Sequence, residues 1–278
     1  MGNEPVSDSS ANHSEDIMAQ PPITLGISFK MYFGYAQTVN WCRQIAENLA
    51  HHPAVLDGRV SLFVLPSFPA LAPVLECFAD TPVGVGGQNL YQSSHGAYTG
   101  EVSGAMLAEM GCRYVEIGHA ERQRLFGEDT DVVAAKMQVA LAHDLIPVLC
   151  IGEAERGDPH DAIVDCRGQI DSALAQATPA QRLQPLVIAY EPHWAIGAPE
   201  PASLTHIAAV CQGLREHLGA HPSASVIYGG SAGPDLLTRL AGQVDGLFLG
   251  RFAHDPAAFE AIVNEASLLA SNGSAARN

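Results

Sequence analysis

The chain has 278 residues, 47% of them apolar, which is enough for a substantial core in one large domain or two small ones. Its 14 Lys and Arg face 30 Asp and Glu, and the net charge of −16 excludes a general nucleic-acid or anionic-membrane surface. No apolar run approaches the roughly 20 residues of a membrane span, so the composition describes a soluble, acidic protein in which any anionic ligand needs a locally built site.

Met1 to Pro22 is rich in Ser, Asn, Asp, Glu and Pro and lacks the basic start and apolar stretch of a secretion signal, so residues 1–22 read as a disordered tail. Short apolar, β-rich runs then recur at Thr24–Lys30, Val60–Leu65, Val83–Gly86, Arg113–Ile117, Ile146–Cys150, Leu186–Glu191, Ser225–Gly229 and Asp245–Gly250. Most are separated by stretches with apolar residues three and four apart, such as Ala36–His51, Asp131–His143, Leu204–Leu218 and Pro256–Ala270. Near-continuous apolar strands alternating with amphipathic helices imply a parallel sheet covered by helices. Eight such units in about 250 residues favour one closed (β/α)8 barrel over an open doubly wound sheet. The polar end ASNGSAARN, residues 270–278, reads as a second tail, leaving 23–269 as the barrel. The six cysteines show neither a C-x-x-C pair nor the Cys/His spacing of a zinc site, which points to a reducing cytosol and to no structural metal.

A barrel of this kind carries its chemistry at the C-terminal ends of the strands and in the loops after them. The unusual residues fall there. Lys30 closes the first run, His119 follows the fourth in IGHAER, and Glu191 closes the sixth in AYEPHWAIG. Glycine-rich turns follow the seventh, in YGGSAGP, and the eighth, in LFLGRF. Taken singly, a strand-end Glu is often a solvated rim residue and a lone His is more often structural than electrophilic.

Together with QNLYQSSHGAYTGEVS (Gln88–Ser103) and CIGE (Cys150–Glu153), these segments resemble those of the triosephosphate isomerase family, in one order from about Ile23 to Val263. The resemblance implies that Glu191 is a carboxylate base that moves a proton between adjacent carbons through an enediol. It implies that His119 acts as a neutral electrophile beside the two oxygens and that Lys30 supplies fixed positive charge. Glu121 matches the family position that pairs with this lysine. Backbone N–H groups of Gly197, Ser231 and Gly250 would hold a phosphate, a role that needs close backbone approach. The family implies no metal or organic cofactor, and it implies a homodimer whose third loop, here Gln88–Gly100, inserts into the neighbour.

Four departures from the family pattern bear on the substrate. Ser28 stands where the family has Asn before the lysine. Ala120 replaces Ser after the catalytic His. The lid continues after Gly197 as Ala-Pro-Glu-Pro-Ala-Ser, and Arg251 replaces a glycine of the last phosphate turn. Two prolines fix φ and stiffen a lid tip. Arg251 has two readings, as a phosphate or substrate contact and as a solvent-facing charge. Ser28, Pro-Ala-Ser in the lid and G-L-F-L-G-R at the last strand resemble the branch that interconverts L-erythrulose 1-phosphate and D-erythrulose 4-phosphate. Ordinary triosephosphate isomerisation is the alternative within the same chemistry, and a non-catalytic sugar-phosphate-binding barrel is the alternative outside it.

Overall fold

The apolar runs form strands buried on both faces, as a parallel sheet under helices requires. The structure, a computed structural model, describes residues 21–275 apart from Ala220, Pro222 and Ala241. The expected N-terminal tail therefore lies almost wholly outside the described residues. The strands are β1 (Ile23–Ser28), β2 (Val60–Leu65), β3 (Gly84–Gly87), β4 (Tyr114–Ile117), β5 (Ile146–Ile151), β6 (Leu186–Tyr190), β7 (Ala224–Tyr228) and β8 (Gly246–Leu249). They pair in chain order, all parallel, and β8 closes back on β1 with Leu25 opposite Leu247. This is a single (β/α)8 barrel.

Ten helices accompany them among the described residues: α1 (Tyr35–Leu49), α2 (Pro53–Leu56), α3 (Leu71–Phe78), α4 (Gly104–Glu109), α5 (Ala120–Phe126), α6 (Thr130–Ala142), α7 (Pro159–Ala173), α8 (Leu204–Leu218), α9 (Leu236–Leu240) and α10 (Pro256–Ala275). The longer ones bury one stripe against the barrel; in α1 it is Trp41, Cys42, Ile45 and Leu49. Helix α10 runs through Ala275, beyond the boundary at 269 that polar composition suggests.

The barrel interior is filled rather than hollow. Phe63 and Tyr114 stack across it with ring centroids 4.6 Å apart. Glycines make the room: a Cβ on Gly26 would fall 2.0 Å from the Phe63 ring, and one on Gly84 would fall 2.3 Å from the Tyr114 ring. Each fully buried aromatic contributes about 2–3 kcal/mol from area removed from water. Above this apolar layer, toward the C-terminal ends of the strands, the interior turns polar, with Ser28, Glu116, Cys150 and Glu191 all buried.

Candidate active site

Glu191 is the first residue past β6, and its N–H donates to Ile151 O at 2.7 Å. The residue occupies space that two glycines leave open, one beside its side chain and one beside its backbone. A Cβ on Gly229 would lie 2.6 Å from Glu191 Cγ, and one on Gly152 would lie 2.0 Å from Glu191 O. Burial pushes the carboxyl up to about 8, against the pull of Lys30 and with a further push from Glu116.

His119 follows β4 and caps α5. Its Nδ1 accepts the Glu121 N–H at 3.1 Å, so the ring proton resides on Nε2 and the imidazole is neutral. Burial first, then Lys30, pulls its pKa down to about 4. His119 Nε2 faces Glu191 Oε2 at 3.4 Å, and neither atom has a hydrogen-bond partner among the described residues. Buried polar atoms without partners are costly to stability. Glu191 lines the cleft described below with His119 directly against it, so the pair combines a carboxylate and a ring N–H at one place.

Lys30 sits just past β1 with φ of 48°, a conformation that costs a side-chain-bearing residue energy. The Gln88 amide holds it there, donating to Lys30 O at 3.0 Å and to Leu65 O at 2.9 Å. Its ammonium meets Glu121 Oε1 at 2.8 Å. Burial disfavours the charge, but Glu191, Glu121 and Glu116 outweigh it and hold the Lys30 pKa above its ordinary value. Lys30 is therefore a permanent cation beside a titrating carboxyl.

These groups open onto a cleft of about 780 Å³ lined by Ser28, Lys30, Glu191, Gly197, Ser231, Gly250 and Arg251. The N–H groups of Gly197, Ser231 and Gly250 find no acceptor among the described residues. Gly197 and Ser231 both have positive φ, at 72° and 54°, and with Gly250 they line the same cleft.

The segment after Gly197 lies over this cleft and is tied down at several points. Ala202 N–H donates to Tyr228 Oη at 3.0 Å. Ser231 Oγ is 2.8 Å from both Ala195 O and Ala198 O, and it donates to one of them. Arg251, with two readings from the sequence, sends Nη2 to Gly197 O at 3.2 Å and so reaches the lid itself. Before the lid, Trp194 Nε1 donates to Glu153 Oε1 at 2.9 Å, a carboxylate that also receives Tyr190 Oη–H at 3.1 Å.

The profile described as triosephosphate isomerase matches residues 23–266, most of the chain. The chain belongs to the triosephosphate isomerase family. Membership carries the enzyme class, isomerisation of a phosphorylated sugar. The chain is 54% identical over 257 residues to the L-erythrulose-1-phosphate isomerase of Pectobacterium atrosepticum, covering 91% of this chain and 99% of that one. It is 44% identical over 230 residues to the triosephosphate isomerase of Symbiobacterium thermophilum, covering 79% and 89%. With the triosephosphate isomerase of Chloroflexus aurantiacus the identity is 39% over 253 residues, covering 87% and 98%.

Within this triosephosphate isomerase family chain, every site residue read from the sequence lies in or against one cleft. Sequence reasoning passed over Glu116 and Tyr228. Tyr228 was hidden because a strand-end tyrosine looks like core. Glu116 had a visible signal, a carboxylate inside the apolar run RYVEI. Burial pushes it up to about 7, opposed first by its hydrogen bond from Ser28 and then by Lys30. Cys150 is buried beside the two carboxyls, its Sγ 3.9 Å from Glu116 Oε1.

Proposed function

We propose that the protein interconverts L-erythrulose 1-phosphate and D-erythrulose 4-phosphate by proton transfer through an enediolate. The observation that carries the chemistry is the pair of unpartnered buried atoms, Glu191 Oε2 and His119 Nε2, beside the Lys30 ammonium. Glu191 takes the proton from the hydroxyl-bearing carbon next to the ketone. His119, with its proton on Nε2, donates to the two substrate oxygens in turn, and Lys30 stabilises the negative charge that develops there. Glu191 then returns the proton to the former carbonyl carbon, moving the ketone by one position. Preorganised donors of this type contribute on the order of 3 kcal/mol each to the transition state. The phosphate rests on the N–H groups of Gly197, Ser231 and Gly250, which explains how an acidic protein takes a dianion.

The choice of a tetrulose over a triose is supported by the higher identity to the L-erythrulose-1-phosphate isomerase and by Ser28, whose small side chain lines the cleft where a larger amide is replaced. We place the protein in a reducing cytosol, supported by six free thiols, and assign it a homodimer, supported by the exposed apolar residues discussed below. Incubation of the purified protein with L-erythrulose 1-phosphate, followed by ³¹P and ¹³C NMR, tests the reading. Appearance of D-erythrulose 4-phosphate supports it, and an unchanged spectrum rejects it.

A further inference from the structure

Glu116 is a carboxyl that no step above uses. It points into the barrel from β4, only 3% exposed, and has no cation within ion-pair distance among the described residues. An apolar residue there would pack without the cost of burying a carboxylate, a cost that runs to several kcal/mol when a charge has no close partner. One hydroxyl serves it, and a thiol lies near its other oxygen. Ser28 Oγ–H donates to Oε2 at 2.9 Å, and the Cys150 thiol lies 3.9 Å from Oε1.

The consequence lies with Ser28. A serine hydroxyl has one hydrogen and two lone pairs. Its hydrogen is committed to Glu116, and its oxygen accepts nothing from the described residues while the residue lines the cleft beside Lys30 and Glu191. The surface it offers to a ligand is therefore an acceptor. An amide side chain at this position would carry N–H donors as well as a carbonyl oxygen, so it would not fix the surface as an acceptor alone. A triose phosphate carries hydrogen on its reacting carbon at this point, whereas a tetrulose phosphate carries a hydroxymethyl group whose O–H is a donor.

We propose that Glu116 is a positioning residue that fixes the Ser28 oxygen as an acceptor and thereby selects substrates with a hydroxyl-bearing carbon beyond the reacting carbon. This rests on the tetrulose reading above. A site built to pair a substrate hydroxyl discriminates against an analogue lacking it far more strongly than an apolar pocket does.

The test compares native enzyme, Glu116→Val, Ser28→Ala, the double variant and Glu116→Gln by kcat/KM on L-erythrulose 1-phosphate and on dihydroxyacetone phosphate. In each of the first three variants the tetrulose-to-triose ratio falls at least tenfold. The double variant is no worse than the poorer single one, because both act through one oxygen. Glu116→Gln keeps an oxygen for Ser28 and recovers part of the ratio. Thermal melting confirms that each variant is folded. Native enzyme without tetrulose turnover sinks the reading and the inference together. Native preference for the tetrulose, with variants that lose both substrates alike or neither, overturns the inference and leaves the reading standing.

Discussion

Glu191 Oε2 and His119 Nε2 stand 3.4 Å apart at the mouth of the barrel, each buried and each without a hydrogen bond among the described residues. In the proposed mechanism the gap separates the base that moves the proton from the donor that follows the charge. Replacing Glu191 by Gln keeps the shape and removes the base. Steady-state kinetics of Glu191→Gln are expected to show kcat lower by about 10²–10⁴, the usual contribution of a positioned general base, with KM within a few fold of native. A variant that retains more than a tenth of native kcat assigns the base elsewhere. Native protein that binds sugar phosphates with no turnover at all supports the non-catalytic barrel.

The pH dependence follows from the same carboxyl. As the proposed base Glu191 acts in its ionised form, and burial holds its pKa near 8. Activity as kcat/KM therefore rises about tenfold per pH unit below 8 and levels above it. Stability runs the other way. With the folded pKa raised from 4.5 to about 8, the folded state keeps a proton that the unfolded state has released across this range, so stability falls as pH rises between them. Glu191→Gln lacks this penalty. Its melting temperature should exceed that of the native protein at pH 8, by the equivalent of a few kcal/mol, and the two should converge below pH 4.5. Melting curves that stay parallel across this range contradict the buried, titrating carboxyl.

The lid is held by single hydrogen bonds whose loss is measurable. Tyr228→Phe removes the acceptor for Ala202 N–H and leaves the ring packed in the core. The loss leaves the buried Ala202 N–H unpaired, which costs about 1–3 kcal/mol and lowers the melting temperature. A looser lid is expected to lower kcat/KM roughly fivefold for each kcal/mol felt in the transition state. A native rate in this variant shows that the contact does not govern closure.

Several large apolar side chains are exposed on segments that also carry site residues or on the third loop. Met31 is 93% exposed, Tyr32 57% and Phe126 66%, and Tyr98 projects from the Gln88–Gly100 loop. Burying these residues between two copies is the favourable outcome in water. Light scattering at micromolar concentration is expected to give a dimer, and a monomer contradicts the assignment.

The barrel was legible because its strands are apolar on both faces and its helices on one, so period alone separates them. The strand ends fell within two residues of their sequence boundaries. Composition misled at the C-terminus, where Ser, Asn and Gly read as a tail although α10 continues through Ala275. Lys30, His119 and Glu191 stood out through the family resemblance of the segments that carry them, since each taken singly has an ordinary structural reading. The roles of Ser28 and Arg251 were less legible, since they depend on which neighbour each side chain meets. Ser28 turned out to be tied to Glu116, and Arg251 to the lid carbonyl of Gly197. Nothing in the one-dimensional pattern brings residues 28 and 116 together; the closure of β1 and β4 around one interior does.

The substrate assignment is tested most directly by measuring kcat/KM of the purified native protein on L-erythrulose 1-phosphate and on dihydroxyacetone phosphate, side by side in one buffer. A preference of tenfold or more for the tetrulose, about 1.4 kcal/mol in transition-state binding, is the predicted result. An equal or greater kcat/KM on dihydroxyacetone phosphate would contradict it and make the protein an ordinary triosephosphate isomerase.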